Sequence, residues 1–98
     1  MKRYSLYYTK EAKKALQKLD KPVLVMIKAW VEKNLVNTAE PRKYGKALKG
    51  KFSGYWRYRV GNYRLITEIR DRELIIVLVD LGHRNFRDGR KGGVALFG

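Results

Sequence analysis

Apolar and polar side chains alternate from Trp56 to Leu65 around the pair Gly61-Asn62. A period of two marks strands with one buried face. A Gly-Asn pair between two such runs marks a two-residue hairpin turn. That turn sets the register: Val60 opposite Tyr63, Arg59 opposite Arg64, Tyr58 opposite Leu65, Arg57 opposite Ile66. Trp56, Tyr58, Val60, Tyr63, Leu65 and Thr67 then share a core face, and Arg57, Arg59, Arg64, Ile66 and Glu68 the other. Like charges at facing positions destabilise a sheet by up to about 1 kcal/mol. The fold gains nothing from Arg59 opposite Arg64, whereas a sheet that holds a phosphate does.

The run Glu73–Leu81 is apolar, β-branched and of strand length, as expected of a strand with neighbours on both sides. Strict alternation assigns Ile75, Val77, Val79, Leu81 and His83 to the core, and Leu74, Ile76, Leu78, Asp80, Gly82 and Arg84 to the arginine face. Upstream, residues 2–8 form a short strand with Tyr4, Leu6 and Tyr8 on one face. Thr9 caps a helix through about Leu19, with Ala12, Ala15, Leu16 and Leu19 at core spacing. Asp20-Lys21-Pro22 breaks it, and a second helix runs to about Asn37 on a stripe of Leu24, Ile27, Val31 and Leu35, with Val23 and Trp30 beside it. Residues 38–50 form a basic loop anchored by Leu48.

The order β-α-α-β-β-β predicts an α+β fold in two layers. A helical hairpin covers one face of a mostly antiparallel four-stranded sheet, with the run 74–81 between the N-terminal strand and the hairpin. Residues 1–84 make one domain. Residues 85–98, with their glycines and basic residues, read as a mobile C-terminal segment. Its apolar end, Val94 to Gly98, either docks on the domain or pairs with a partner.

Charge changes this picture most. Among 98 residues, 23 Lys+Arg stand against nine Asp+Glu, a formal net charge of +14. Such an excess points to a polyanionic partner: nucleic acid first, an anionic membrane surface second, an acidic protein third. Lys43, Lys46, Lys49 and Lys51 make a run that is commonly only a solvated loop, and here is also a candidate polyanion contact. Cysteine is absent and histidine occurs once, which argues against disulfides, a thiolate nucleophile or a zinc site, so no cofactor is expected. No apolar run is long enough for a membrane helix. The first residues read as a strand and not as a leader, so a cytoplasmic protein is expected.

Leu48-Lys49-Gly50, the run Tyr55 to Leu65 and Leu81-Gly82-His83-Arg84 together resemble the RelE/ParE superfamily of type II toxin–antitoxin toxins, the RelE branch in particular. The resemblance covers nearly the whole chain. It implies a toxin that enters the ribosomal A site and cleaves mRNA there, and an acidic antitoxin encoded beside it. Arg57 and Arg59 match two basic positions of that branch, Arg64 the arginine after the hairpin turn, and Arg84 the arginine ending the last strand. By the same resemblance these four carry catalysis. From charge and ring chemistry, Lys46, Lys49, Lys51, Phe86 and Arg87 are candidate RNA contacts.

Two positions depart from the pattern. The family's tyrosine beyond the last-strand arginine has no counterpart, since Phe86 offers a ring but no phenolic hydroxyl. Arginine stays protonated where the family's lysine can accept a proton. Asp80, Glu68 and His83 are the nearby titratable groups, and of these Asp80 and His83 are taken as the candidate general bases. Asp80 shares the arginine face, and a lone histidine on a core face is more often structural. Singly, each arginine reads as a solvated or ion-paired residue, with Glu68 and Asp80 available to Arg57 and Arg84; four on one face favour anion binding. Two further readings stay open: a ParE-like toxin that inhibits DNA gyrase, and an inactive relative that binds antitoxin and operator DNA.

Overall fold

The computed structural model describes residues 2–83, which form a five-stranded sheet covered on one face by two helices. The elements are β1 (Ser5–Tyr8), α1 (Lys10–Gln17), α2 (Lys21–Asn34), β2 (Lys46–Ala47), a 3-10 turn (Gly50–Phe52), β3 (Tyr55–Val60), β4 (Tyr63–Arg70) and β5 (Ile75–His83). The sheet order is β1-β5-β4-β3-β2, so β5 lies between the N-terminal strand and the hairpin, as the apolar run predicts. β1 pairs with β5 in parallel and every other pair is antiparallel. Among the described residues no helix is long and apolar enough to cross a membrane.

The hairpin register is the predicted one, from Trp56 opposite Thr67 to Val60 opposite Tyr63. Tyr58, Val60 and Leu65 enter the core with Ala12 of α1 and Ile27, Val31 and Leu35 of α2 or its end. Thr9 caps α1, its hydroxyl accepting from the Ala12 N–H at 3.0 Å and donating to the Val79 carbonyl at 2.9 Å. The cap therefore also ties the helix to β5. Asn37, in the left-handed region at φ 61°, turns the chain after α2, and its N–H reaches the Tyr4 carbonyl.

Three expectations about the strands and helices need correcting. The sheet has a fifth strand, because Lys46 and Ala47 pair with Arg57 and Trp56 at the edge of β3; two residues are too few to show a period. The helices stop at Gln17 and Asn34, short of the Leu19 and Asn37 that periodicity suggests. The faces of β5 are the third. Ile66 pairs with Asp80 but Thr67 with Leu78, leaving Val79 as an extra residue. A bulge of this kind reverses which face the following side chains take. Ile76 and Leu78 are therefore core residues in place of Ile75, Val77 and Val79, while Leu81 keeps its core position.

Leu48 is half-buried and outside the core cluster, so it does not anchor the basic loop. Aromatic donors on β3 do. The Tyr58 hydroxyl donates to the Pro41 carbonyl at 2.6 Å, and the Trp56 indole N–H to the Tyr44 carbonyl at 2.6 Å. Asp71 accepts from both guanidinium nitrogens of Arg42 at 2.9 and 3.0 Å and from the Tyr4 hydroxyl at 2.7 Å. Those bonds hold its carboxyl below the usual carboxylate range. Both ends of the Arg42–Asp71 pair are about half exposed, so it contributes less than about 1 kcal/mol.

Burial pushes the Tyr58 hydroxyl up to about 12 from an ordinary 10.0. The unfolded chain then loses this proton at lower pH than the folded one. Stability is expected to be intact below pH 10 and to fall between pH 10 and about 12. Tyr58→Phe should flatten that alkaline slope in thermal melts. It should also cost about 1–3 kcal/mol at neutral pH, by leaving the Pro41 carbonyl without its donor.

Candidate nucleic-acid interface

Two rows of register partners cross the sheet through the arginines. One runs Lys46, Arg57, Ile66, Asp80 and the other Arg59, Arg64, Gly82, each step being a register pair of adjacent strands. The predicted opposition of Arg59 and Arg64 is present, and β2 brings Lys46 beside Arg57. Neighbouring strands lie about 4.8 Å apart, so Lys46, Arg57, Arg59 and Arg64 occupy a strip about 10 Å wide.

Arg59 is exposed, while Arg57 and Arg64 are half-buried. The Arg57 Nε is shielded from solvent and has no hydrogen-bond partner among the described residues. No ion pair among the described residues involves Arg57 or Arg59, and Glu68 pairs with Arg70 at 3.1 Å instead of with Arg57. Within the described part of the face, then, carboxylates do not neutralise these two guanidiniums. They line a cleft of about 380 Å³ with Lys46, Gly45, Tyr44 and Trp30.

The geometry of that cleft depends on Gly45. Its φ is +86°, and a β-carbon there would meet the Arg57 carbonyl and the Tyr58 ring. The loop consequently lies directly on β3, with the Trp56–Tyr44 hydrogen bond holding it down.

Asp80, at the far end of the first row from Lys46, and His83, at the end of β5, do not line the arginine cleft. They line a second cleft, of about 520 Å³, with Tyr63, with Glu11 and Lys14 of α1 and with Lys18 just beyond it, and it shares no lining residue with the first. Burial, and secondarily the Glu11 charge, raises the Asp80 carboxyl above its ordinary range, against a 2.8 Å hydrogen bond accepted from the Leu81 N–H. His83 is exposed at the sheet rim, its ring edge-on to Tyr63 with centroids 5.2 Å apart, and is not in the core as strand parity suggests.

Lys49 and Lys51 are exposed at the 3-10 turn and do not line the arginine cleft. Arg84, Phe86 and Arg87, the boundary at residue 84 and the apolar tail lie outside the described residues. Reading the sequence missed Tyr44 and Gly45 and assigned Trp30 to packing alone. The pair Tyr44-Gly45 beside Lys46 was the available signal, since a glycine at that place marks a close backbone approach.

A family profile described as ParE toxin of type II toxin-antitoxin system, parDE, matches residues 6–87. Toxin RelG of Mycobacterium tuberculosis is 30% identical over 81 residues, covering 83% of this chain and 91% of the relative. The chain superimposes on the RelBE2 toxin–antitoxin complex of Mycobacterium tuberculosis with a TM-score of 0.77 at 28% identity, over 86% of this chain and 94% of that one. For the archaeal RelE–RelB complex of Pyrococcus horikoshii the TM-score is 0.64 at 26% identity, over 92% and 99% of the two chains. The sheet order, the helical hairpin and these likenesses agree: the chain belongs to the ParE toxin family of type II toxin–antitoxin systems, within the RelE/ParE superfamily.

Proposed function

We propose that this toxin is an endoribonuclease that cleaves mRNA in the ribosomal A site, and that a small acidic antitoxin neutralises it. The observation that carries this reading is Arg59 facing Arg64 with Arg57 and Lys46 alongside, an arrangement that costs the sheet stability and suits a bound phosphodiester. The RelG relative and the toxin–antitoxin complexes among the solved structures support the toxin and its protein partner.

In the reaction the ribose 2′-oxygen attacks the adjacent phosphorus and the bond from phosphorus to the 5′-oxygen breaks. The products are a 2′,3′-cyclic phosphate and a 5′-hydroxyl. Charge builds on the non-bridging oxygens, and fixed guanidiniums in a partly dry site stabilise it with little reorganisation. Arg57 and Arg59 hold the phosphate, and their forked donors also fix its orientation. We assign the scissile ribose to the space beside Arg64, whose register partner is Gly82, two positions along β5 from Asp80. We assign the 2′ proton to Asp80, which ends the row that holds Lys46 and Arg57. Arg84 stabilises the charge on the departing 5′-oxygen in this scheme, by its place in the family pattern, and that oxygen takes its proton from water.

The ParE description of the matching profile favours gyrase inhibition as the second reading; the strip of arginines argues against it. Primer extension on cellular mRNA after induction separates the two. Discrete new ends inside translated reading frames, lost when ribosomes are stalled elsewhere, are the expected result. Intact mRNA together with inhibited supercoiling in a gyrase assay would replace this reading with the second.

A further inference from the structure

Tyr44, in the basic loop, belongs to two clefts. It lines the arginine cleft, and also a second hollow of about 390 Å³ whose cations are Arg3, Lys33 and Lys43. Its ring packs edge-on against Trp30, centroids 6.0 Å apart, and its carbonyl accepts from the Trp56 indole at 2.6 Å. The Gly45 turn beside it presses on β3, so the backbone of Tyr44 is fixed. Despite these ties the residue remains 37% exposed. The Lys43 ammonium stands 5.7 Å from the ring centroid, over its face. An aromatic ring held rigidly between two groups of cations, and left open to solvent, matches the arrangement by which single-stranded nucleic acid is bound without sequence readout.

From this we propose that Tyr44 is a base-stacking platform. On this view a single RNA strand runs from Lys46, Arg57 and Arg59, over Tyr44, to the hollow lined by Arg3, Lys33 and Lys43. One base displaces the Lys43 ammonium from the ring face, and that ammonium moves to the neighbouring phosphate. The inference rests on the RNA reading above and adds a positioning residue on the side of the cleft away from Asp80.

The test measures binding of a single-stranded RNA nonamer at low salt, with a parallel series in which each nucleotide in turn is abasic. For the wild-type toxin one abasic position should weaken binding about tenfold, within the range that stacking on one ring supplies. Tyr44→Leu should weaken the intact RNA about tenfold and gain no further loss from that abasic position, while Tyr44→Trp retains both the affinity and the abasic effect. Lys33→Gln with Lys43→Gln should reduce the slope of log affinity against log salt by ~0.7 per lysine. Thermal melts of each variant check that the fold is kept, and Tyr44→Phe keeps the ring should Tyr44→Leu fail to fold. Undiminished binding by Tyr44→Leu, additive losses from the leucine and the abasic site, or no RNA binding by the wild type overturns the platform. If the wild type stacks as described but never cuts mRNA, the endonuclease reading fails alone; if it cuts and Tyr44→Leu binds as well as wild type, the platform fails alone.

Discussion

Arg59→Thr is expected to slow single-turnover cleavage on programmed ribosomes about 10²-fold while leaving the domain as stable as the wild type or slightly more so. The two effects have one source. Arg59 faces Arg64 across the hairpin and makes no ion pair among the described residues. Removing it relieves a repulsion of up to about 1 kcal/mol, and threonine suits a strand at least as well. It also removes a preorganised cation from the site of developing charge, for which losses of about 10²–10³ in rate are typical. Binding to the ribosome should change far less, because much of the +14 charge remains. Stopped-flow cleavage and thermal melts on the same preparations decide it. A drop in melting temperature would mean that Arg59 supports the fold, and an unchanged rate would remove it from the site.

Gly45→Ala is expected to be the most damaging small substitution in the described domain, costing about 2–6 kcal/mol. The backbone there has a φ of +86°, which strains any residue with a β-carbon by roughly 1–3 kcal/mol. The added methyl would also meet the Arg57 carbonyl, stand 2.9 Å from the Trp56 indole nitrogen and 3.0 Å from the Tyr58 ring. The first neighbour is backbone in a paired strand and the last is a buried core ring, so neither moves aside easily. Overpacking adds a further 1–3 kcal/mol. For a domain of this size that lowers the melting temperature by about 10 °C or more. Any folded fraction should cleave poorly, because the loop that carries Tyr44 and Lys46 has to lift from β3. Melting within 2–3 °C of the wild type would show that the loop does not lie on β3 as described, since the expected shift exceeds that by several fold.

How much of this was legible in the chain varies with the physics involved. The hairpin was legible because Gly61-Asn62 fixes a register and alternation then assigns every face. The Thr9 cap and the stripe Ile27, Val31, Leu35 were legible for similar local reasons. The bulge at Val79 was not, because Ile75 to Val79 is apolar on both faces and carries no period to reveal a slip. The short strand Lys46–Ala47 is set by pairing with Arg57 and Trp56 across the 3-10 turn, and two residues show no period. Among site residues, Arg57, Arg59 and Arg64 could be placed from the register alone. His83 could not, since parity gives a side and not a depth, and the strand reaches the rim where that side is open. Tyr44 gave no periodic signal, being positioned by a tertiary hydrogen bond.

The parallel pairing of β1 with β5 also governs when the molecule can become itself during synthesis. Ser5 pairs with Ile75, a separation of 70 residues, so the first strand made waits for the last described one. Local helices and the β3–β4 hairpin can form as the chain emerges, but closing so long a loop sets the pace of the final step. Until β5 is available, β4 lacks its inner neighbour and the arginine rows lack Asp80 and Gly82. A nascent chain halted before Ile75 therefore carries most of the cations without an organised face on which to use them, and premature termination should yield a harmless product rather than a partly active one.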